Sequence, residues 1–488
     1  MSDFFEVLSL RIGGLFVCLL ILSMSWGCVP LDKVEVKGPL AELGSPHDTV
    51  NTARVSLFLN LKDPADSPGI QFELSDLEVL ADQVWLPVNS GPLQLDSEKI
   101  ASTQLFLGGR PVPPGRYERF RFTVTKGAYR LGNGDYQIAS VDPYSVELAL
   151  ARPLMIAEDD SVSLFVTWDA RESLERSDTL YPVMSLAPPM RQLFGNLVYA
   201  ACPDIDTIFV IRNDKNWVAD SFGVRGHPTY IANDPDPSAR LLYILASSEK
   251  RIKAVELSSQ RVIDSFSIPL VQEASFMTIS PDGKWAYILD TRESYLNRLD
   301  LETGRLLARV RLEFEPQYAS YLGSRDTVAV SSVISQTVSF RDPLDLSEVN
   351  SVVTGSSPDG LLFSNNLLYI TESGANTVSI FDFSANTITG RMNVGFSPRR
   401  LLDNGNQIYV SNYDSGSLSV IFPGQLEVSR EVLGLGRPLE MVYDSTYRLI
   451  YVGDAQEAGL AIIDSTINEL KGYVRLGAPP QGLVFIRR

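Results

Sequence analysis

Histidine and cysteine, which supply most metal-ligating and nucleophilic side chains, are scarce in this chain of 488 residues. Its two histidines cannot provide a multi-histidine metal site, a haem ligand pair or the centre of a histidine-dependent lyase. Its three cysteines exclude a disulfide framework. The sequence also lacks a Gly-x-Ser-x-Gly elbow, a phosphate-binding loop and a Cys-x-x-Cys motif. No catalytic constellation is recognisable, and we predict no cofactor.

Basic residues are also in the minority, with 42 lysines and arginines against 59 acidic residues and a formal charge of −17. Binding to nucleic acid needs clustered basic side chains that displace counterions from phosphates. We therefore expect no nucleic-acid partner and no electrostatic attachment to anionic lipid. The acidic balance is typical of a soluble surface in an envelope compartment.

Cys202 and His227 are the reactive residues in the body of the chain. No histidine is placed to activate Cys202, which favours a buried or loop thiol over a nucleophile. His227 lies in a Gly–Pro corner and is interpreted first as a loop residue. The acidic segments 204–206 and 233–236 offer oxygen ligands for Ca²⁺ but lack the spacing of an EF-hand. Solvated turns are favoured there, and calcium stays an alternative.

An apolar run over residues 12–25 is followed by Trp26-Gly27-Cys28. It is shorter than the ~20 residues of a membrane-spanning helix, which favours an export signal. A small residue followed by cysteine resembles a bacterial lipoprotein signal, in which Cys28 becomes the lipid-modified first residue. The resemblance implies a signal over residues 1–28, a polar tether over 29–50, and a lipid-anchored protein of the bacterial envelope, periplasmic or surface-exposed. An uncleaved anchor or an ordinary cleaved signal is the alternative.

Residues 51–190 show the two-residue alternation of apolar and polar side chains that is typical of strands. The clearest segments are Ala53–Leu61, Arg119–Thr125, Ser145–Leu150 and Ser161–Trp168. No stretch keeps a helical period, and turns rich in glycine separate the strands. Seven or eight short strands in this length predict a β-sandwich.

Within this region, Pro114-Gly115-Arg116-Tyr117 opens one strand, and a later strand ends in Trp168-Asp169. This passage resembles a prealbumin-like sandwich domain of unknown function that is common in bacterial lipoproteins. We expect the Pro-Gly turn to fix the start of the strand and Tyr117 to be a core or corner aromatic. The resemblance brings no catalytic residue and implies a stalk or adhesion-type module.

A second pattern recurs seven times in residues 195–488. Its aromatic position falls at Tyr199, Tyr243, Tyr287, Ala329, Tyr369, Tyr409 and Tyr451, with spacings of 44, 44, 42, 40, 40 and 42 residues. Such periods, with several strands in each unit, predict a propeller of seven four-stranded blades. The fold class is therefore all-β, with a β-sandwich followed by a seven-bladed β-propeller.

Most units carry two further signals, although Arg212 and Phe422 replace the acidic residue in two of them. An acidic residue recurs thirteen residues after the aromatic position, as at Asp300 and Asp382, and is expected to accept hydrogen bonds from its own turn. A Gly–Pro corner then precedes a strand that should line the central channel. The last segment, Gln481–Ile486, is such an inner strand without a blade after it, whereas the unit from Asn196 has no inner strand before it. The C-terminal strand is therefore predicted to complete the first blade and close the ring.

Residues 366–398 and 407–421 carry the pattern Leu-Tyr-Val … Asn-Thr-Val-Ser-Val-Ile-Asp … Val-Gly … Pro in its clearest form. This pattern resembles YVTN-type surface-layer and YncE-like propellers and lacks the signature of WD repeats. The resemblance implies the propeller fold and carries little about activity. Related propellers include lactonases and quinoprotein-type dehydrogenase subunits.

Polar residues at two recurrent positions and in the Gly–Pro corners are expected to meet at the mouth of the channel and to form a mixed polar ring able to bind a polar ligand or a peptide loop. The alternative is that these side chains only solvate the mouth of the propeller. The candidates are Asp290, Glu372, Asn412, Asp454, Gln317, Arg399, Arg400, Arg437, Gln481 and His227.

The leading functional hypothesis is a non-enzymatic, envelope-anchored binding or scaffold protein, expected to be a monomer, that presents a propeller face to an envelope protein or a cell-surface polymer. The alternative is an enzyme of lactonase or quinoprotein dehydrogenase type with a polar, calcium-binding channel. Asp290, Glu372, Asn412 and Asp454 would have to approximate its metal cluster. A surface-layer or adhesion structure is a third hypothesis.

Overall fold

A computed structural model describes residues 52–487 except 90, 102, 131–133, 140–141, 176–179, 191–192 and 194. The predicted signal with Cys28 and the predicted tether lie outside the described residues. Among the residues described, no helix is both long enough and apolar enough to cross a membrane.

Ten strands precede the propeller among the described residues, against the seven or eight predicted. They are β1 (Ala53–Leu61), β2 (Gly69–Ala81), β3 (Val84–Pro87), β4 (Leu93–Asp96), β5 (Leu105–Val112), β6 (Gly115–Arg130), β7 (Gln137–Ala139), β8 (Tyr144–Ile156), β9 (Ser161–Asp169) and β10 (Val183–Ala187). Two short α-helices, α1 (Ser97–Ile100) and α2 (Ala170–Glu175), and a 3₁₀ turn (Pro64–Asp66) join them. The additional strands β3, β4 and β7 are three or four residues long, too short to show alternation.

The ten strands form two sheets around one core. One sheet has the order β10-β9-β1-β5, with β1 parallel to β9, and the other is built on β2 and β6 with β3, β4, β7 and β8 at their sides. Phe72 and Trp168 meet in the core with ring centroids 5.6 Å apart. The buried Tyr117 donates its hydroxyl to the carbonyl of Pro113 at 2.6 Å, so the predicted corner aromatic is both packed and hydrogen-bonded.

The propeller contains 28 strands in seven antiparallel sheets of four. Blade 1 holds β11 (Leu197–Cys202), β12 (Thr207–Arg212) and β13 (Trp217–Gly223); blade 2 holds β14 (Pro228–Asn233), β15 (Leu241–Ala246), β16 (Arg251–Glu256) and β17 (Arg261–Ser267); blade 3 holds β18 (Ala274–Ile279), β19 (Trp285–Asp290), β20 (Tyr295–Asp300) and β21 (Leu306–Arg311); blade 4 holds β22 (Pro316–Leu322), β23 (Thr327–Ser332), β24 (Thr337–Arg341) and β25 (Glu348–Val353). Blade 5 holds β26 (Pro358–Ser364), β27 (Leu367–Glu372), β28 (Thr377–Asp382) and β29 (Thr387–Asn393); blade 6 holds β30 (Pro398–Asp403), β31 (Ile408–Asn412), β32 (Ser417–Ile421) and β33 (Val428–Val432); blade 7 holds β34 (Pro438–Asp444), β35 (Leu449–Asp454), β36 (Gly459–Asp464) and β37 (Glu469–Arg475); β38 (Gly482–Ile486) follows. Two 3₁₀ turns, Pro203–Ile205 and Gly323–Arg325, lie in blades 1 and 4.

The C-terminal strand closes the ring as the sequence predicts. Strand β38 pairs with β11 in antiparallel register, with Leu483 opposite Ala200 and Phe485 opposite Val198. It is the innermost strand of blade 1, so the first and last segments of the propeller share one sheet. This closure pairs the inner edge of β11 with backbone from the same chain.

The recurrent tyrosine joins neighbouring blades. Tyr287, Tyr409 and Tyr451 each donate a hydroxyl to the loop between the third and fourth strands of the next blade. The acceptors are the Pro343 carbonyl at 3.0 Å for Tyr287 and the Asn468 side chain at 2.6 Å for Tyr409. Tyrosine suits this position because its ring packs between neighbouring sheets while its hydroxyl forms a hydrogen bond to the next blade.

Blade 4 has alanine at this position and fills the space differently. Ala329 is fully buried in a cluster with Phe340 and Phe381. Phe383, from the loop of blade 5 that a tyrosine would have reached, packs against both rings at 5.2 and 4.9 Å. An aromatic side chain therefore still fills this junction, but it comes from the neighbouring blade.

The acidic turn residues act as predicted. Asp300 accepts hydrogen bonds from the backbone N–H groups of Glu302 at 2.8 Å and Thr303 at 3.1 Å. Asp464 accepts from Thr466 in the corresponding turn of blade 7. These bonds fix the tight connection to the outermost strand.

The sandwich packs directly against blade 1. Strand β1 is buried on both faces: Leu57 and Leu59 enter the sandwich core, whereas Phe58 joins a propeller cluster beside Phe209, with ring centroids 6.1 Å apart. Gln104 forms two hydrogen bonds with the backbone of Val218, at 2.8 and 3.1 Å. This contact explains why β1 has no exposed face although its sequence alternates.

Candidate functional site

The corners and the loops between the second and third strands of the blades lie on one side of the propeller, because adjacent strands run antiparallel. We call this side the corner face. Its loops are 224–227, 268–273, 312–315, 354–357, 394–397, 433–437 and 476–481 at the corners, and 203–206, 247–250, 291–294, 333–336, 373–376, 413–416 and 455–458 between the second and third strands.

Two of the candidate carboxylates, Asp290 and Asp454, are fully buried and hold this face together. Asp290 accepts hydrogen bonds from the backbone of Gln272 at 2.9 Å and Glu273 at 3.1 Å. Asp454 holds the corner loop 433–437 in the same way, because it accepts a hydrogen bond from the backbone N–H of Arg437 at 2.9 Å. Each carboxylate therefore fastens a corner loop to its own blade.

Glu372 and Asn412 are buried in the same way. Glu372 accepts from the Gly355 backbone and the Ser379 hydroxyl, both at 2.6 Å, and pairs with Arg391 at 3.0 Å. Asn412 donates to Ser419 at 2.9 Å. The polar partners of these candidates lie in or beside their own blades, and no group of three metal-ligating side chains occurs among the described residues. The cluster that the lactonase hypothesis requires is not formed by these residues.

The centre of the channel is lined by the third residue of the innermost strand in blades 2 to 7 and by the first residue of β38 in blade 1, each two positions after the corner proline or, in blade 3, after Ala274. These residues are Gly482, Tyr230, Phe276, Tyr318, Gly360, Arg400 and Glu440 in blades 1 to 7. The rings of Tyr230, Phe276 and Tyr318 form a continuous arc, with centroids 4.2 and 4.1 Å apart. The guanidinium of Arg400 continues the arc 4.6 Å from the Tyr318 ring.

Arg400 also organises the charges of the channel. It pairs with Asp359 through Nη1 and with Glu440 through Nε, both at 2.5 Å. Arg399 adds a second bond to the nearly inaccessible Asp359 at 2.9 Å. Burial raises the pKa of Glu440, and Arg400 opposes that rise. Two arginines thus face two carboxylates, which makes this an internally satisfied ion cluster.

Gly360 makes this arrangement fit. A Cβ atom on Gly360 would lie 2.2 Å from the carbonyl oxygen of Arg399 on the neighbouring inner strand. The missing side chain allows the two strands to approach closely and leaves Arg400 room to reach Tyr318.

Burial raises the pKa of the Tyr318 hydroxyl well above its ordinary value.

The remaining candidates are spread along the corner face. His227 has a backbone φ of 60° and donates its backbone N–H to Asp206 at 2.7 Å, which agrees with its interpretation as a loop residue. Gln317 is partly buried and Gln481 is exposed. Cys202 is fully buried, and burial raises the pKa of its thiol strongly.

Two candidates, Arg399 and Arg437, lie around blade 6, where the structure adds two residues. Tyr413 lies within reach of two guanidinium groups, Arg399 at 5.6 Å and Arg437 at 5.5 Å from the ring centroid. Phe396, in the adjoining corner loop, is more than half exposed. We call the set of Phe396, Arg399, Tyr413 and Arg437 the blade 6 mouth.

Sequence reasoning missed Glu440, the aromatic arc, Phe396 and Tyr413. The signal for the channel was present, because Arg400 and Glu440 hold equivalent positions in consecutive units and carry opposite charges. The signal for Tyr413 is that an aromatic residue occupies a loop position at which the other six repeats have smaller residues. Both are departures from the repeat, whereas most of the predicted candidates are polar residues at its recurrent positions.

Solved structures share the fold at low sequence identity. A functionally unknown protein from Desulfotomaculum acetoxidans DSM 771 is 12% identical, with a TM-score of 0.53 over 60% of this chain and 99% of that chain. Dihydro-heme d1 dehydrogenase NirN, in complex with DHE, is 14% identical, with a TM-score of 0.44 over 57% of this chain and 63% of its own. Hydrazine synthase from Kuenenia stuttgartiensis is also 14% identical, with a TM-score of 0.45 over 54% of this chain and 96% of its own.

No protein-family profile matches the chain, and no curated protein is significantly similar to it. At these identities, similarity to solved structures concerns fold and not activity. The chain is an all-β protein in which a β-sandwich precedes a β-propeller.

Proposed function

We propose that this protein is a non-enzymatic binding or scaffold protein of the bacterial cell envelope, anchored by a lipid on Cys28. Its corner face presents the propeller to an envelope protein or a cell-surface polymer. The repeat pattern supports assignment to the YVTN and YncE-like propellers, and the Pro-Gly-Arg-Tyr passage supports a prealbumin-like sandwich before it.

The observation that carries this proposal is a contrast within the corner face. The buried carboxylates that a catalytic or metal site would need already accept hydrogen bonds from backbone N–H groups or pair with an arginine. Large apolar side chains on the same face are instead more than half exposed: Leu270, Phe314, Ile334, Phe396 and Leu433. Exposed apolar side chains on a face whose buried carboxylates are already engaged favour an interaction surface over a catalytic one.

The sandwich leaves this part of the face accessible. It packs on blade 1, and Phe106 closes over Gly477, where a Cβ atom would lie 2.3 Å from its ring. The exposed apolar residues belong to the loops of blades 3 to 7, away from that contact. We therefore assign partner binding to the propeller and a supporting role to the sandwich.

Site-specific photo-crosslinking in intact cells tests the binding role. A benzophenone amino acid at Phe396 should give discrete crosslinked products. The same group at Leu344, an equally exposed residue in a loop on the opposite face, is the matched control. Products from neither position, or identical products from both, would contradict the proposal.

The anchor has its own test. Radiolabelled palmitate should be incorporated into the wild-type chain, and Cys28→Ala should abolish the incorporation. Label that persists in Cys28→Ala would exclude lipidation at this residue.

A further inference from the structure

The repeat allows each corner-face residue to be compared with its counterparts in the other blades. Equivalent positions meet the same structural demands, so a residue that departs from its counterparts without a structural partner is a candidate for function. The counterparts of Tyr413 are Pro203, Ser247, Thr291, Val333, Ser373 and Ala455. Those of Arg437 are Pro479, His227, Glu273, Glu315, Ser357 and Ser397. Only the blade 6 mouth combines an aromatic ring with arginine at these positions.

Each of the two arginines has a contact that fixes it to the propeller and a guanidinium surface that is exposed to solvent. One guanidinium nitrogen of Arg399 pairs with the buried Asp359 at 2.9 Å, and a third of the Arg399 side chain is exposed. The backbone of Arg437 is fixed by Asp454, yet its guanidinium is exposed and forms no ion pair with any described residue.

The backbone of the exposed Phe396 is fixed by the loop that carries Tyr413. The backbone of Phe396 donates to the Ser415 hydroxyl at 2.6 Å, and the backbone of Tyr413 donates to the Ser397 carbonyl at 3.0 Å. The corner loop that carries Phe396 and the loop that carries Tyr413 are thereby joined, and their backbones are fixed on the face where Arg399 and Arg437 reach the Tyr413 ring. Preorganisation lowers the entropy lost on binding.

We infer that the blade 6 mouth binds an acidic peptide segment, an inference that rests on the proposed binding function. The carboxylate of the segment pairs with the free donors of Arg437 and Arg399, since the guanidinium fork matches carboxylate geometry. A neighbouring apolar side chain packs on Phe396. A peptide fits better than an acidic polysaccharide, because the Tyr413 ring on which a sugar would stack is partly buried and already has two guanidinium groups within 5.6 Å of its centroid.

A phage-displayed library of random linear peptides, selected on the full chain, tests this inference. Enriched sequences should place aspartate or glutamate next to apolar residues. When these are synthesised with a fluorophore, Arg437→Glu should weaken their binding by about tenfold or more and their affinity for wild-type protein should fall with salt. Arg261→Glu, the same charge change at an exposed residue of blade 2, is the matched control and should leave binding unchanged.

The remaining outcomes separate this inference from the proposed function. Peptides that bind Arg437→Glu as well as wild type would overturn the assignment to the blade 6 mouth. Failure to enrich any peptide, or binding of alginate that Arg437→Glu abolishes, would overturn the choice of a peptide. In each of these cases, specific crosslinks from Phe396 in cells would still support a partner on the corner face.

Discussion

Arg400 and Glu440 join neighbouring innermost strands through a hydrogen bond of 2.5 Å between Nε and Oε1. The same guanidinium bonds to Asp359 on the strand of the preceding blade. One side chain therefore ties blades 5, 6 and 7 together at the centre of the propeller, where each inner strand meets its neighbours.

Removing Arg400 should destabilise the propeller strongly. Arg400→Met leaves the buried Asp359 and the partly buried Glu440 without a major partner, and we expect the free energy of unfolding to fall by about 3–5 kcal/mol. Urea denaturation followed by circular dichroism measures this loss. Arg261→Met, at an exposed arginine, should change the value by less than about 0.5 kcal/mol. Equal effects of the two substitutions would contradict a structural role for the ion cluster.

Glu440 should make stability depend on pH. Burial raises its pKa in the folded protein. A carboxyl with a raised folded pKa contributes most below its unfolded pKa of about 4.3, and this contribution is lost as the pH rises through the folded pKa.

Glu440→Gln removes that titration. The thermal midpoint of the wild type minus that of Glu440→Gln should therefore decrease from about pH 4.5 to pH 8. The exposed Glu302→Gln serves as the control and should show a smaller trend. A difference that grows with pH would show that attraction to Arg400 outweighs burial.

The hydrogen bond between Tyr409 of blade 6 and Asn468 of blade 7 should contribute modestly to the stability of the propeller. Tyr409→Phe keeps the packed ring but removes the hydroxyl that donates to Asn468 at 2.6 Å. We expect a loss of about 1 kcal/mol in the free energy of unfolding, since a net hydrogen bond contributes that much. Tyr447→Phe, at a half-exposed tyrosine, should have no measurable effect. The explanation fails if the two variants are equally stable.

Asp290 distinguishes a structural carboxylate from a calcium ligand. Asp290→Ala leaves backbone N–H groups of the corner without their acceptor, and we expect a loss of about 2–4 kcal/mol in the free energy of unfolding. The loss should be the same with excess EDTA and with excess calcium. Asp414→Ala, at an exposed aspartate of the same face, should have little effect. Calcium that stabilises the wild type but not Asp290→Ala would favour the metal-site alternative.

Much of the architecture was accessible from the sequence because it depends on local patterns. The aromatic spacing and the Gly–Pro corners predicted the blades, and the unmatched strands at Asn196 and Gln481 predicted the closure that β38 and β11 make. The turn role of Asp300 also followed from its position, since an acidic side chain bonds to N–H groups within its own turn.

The candidate site was less accessible, because burial and pairing depend on contacts between distant segments. Asp290 and Glu372 have the residue types of a ligand site, yet the fold buries them and gives their oxygens partners from corner loops 17 or 18 residues earlier in the chain. Strand β1 alternates like a strand with one exposed face, but the docking of the sandwich on blade 1 buries its second face as well.

The sequence by itself determined that seven similar β-sheets form a closed ring after a sandwich, because strand period and turn chemistry act over a few residues. Only the tertiary structure decided which polar side chains are used by the fold and which remain available. The free energy of a charged group depends on its burial and its partners, and these come from other blades: Asp359, Arg400 and Glu440 satisfy one another, whereas Arg437 is left exposed at the mouth.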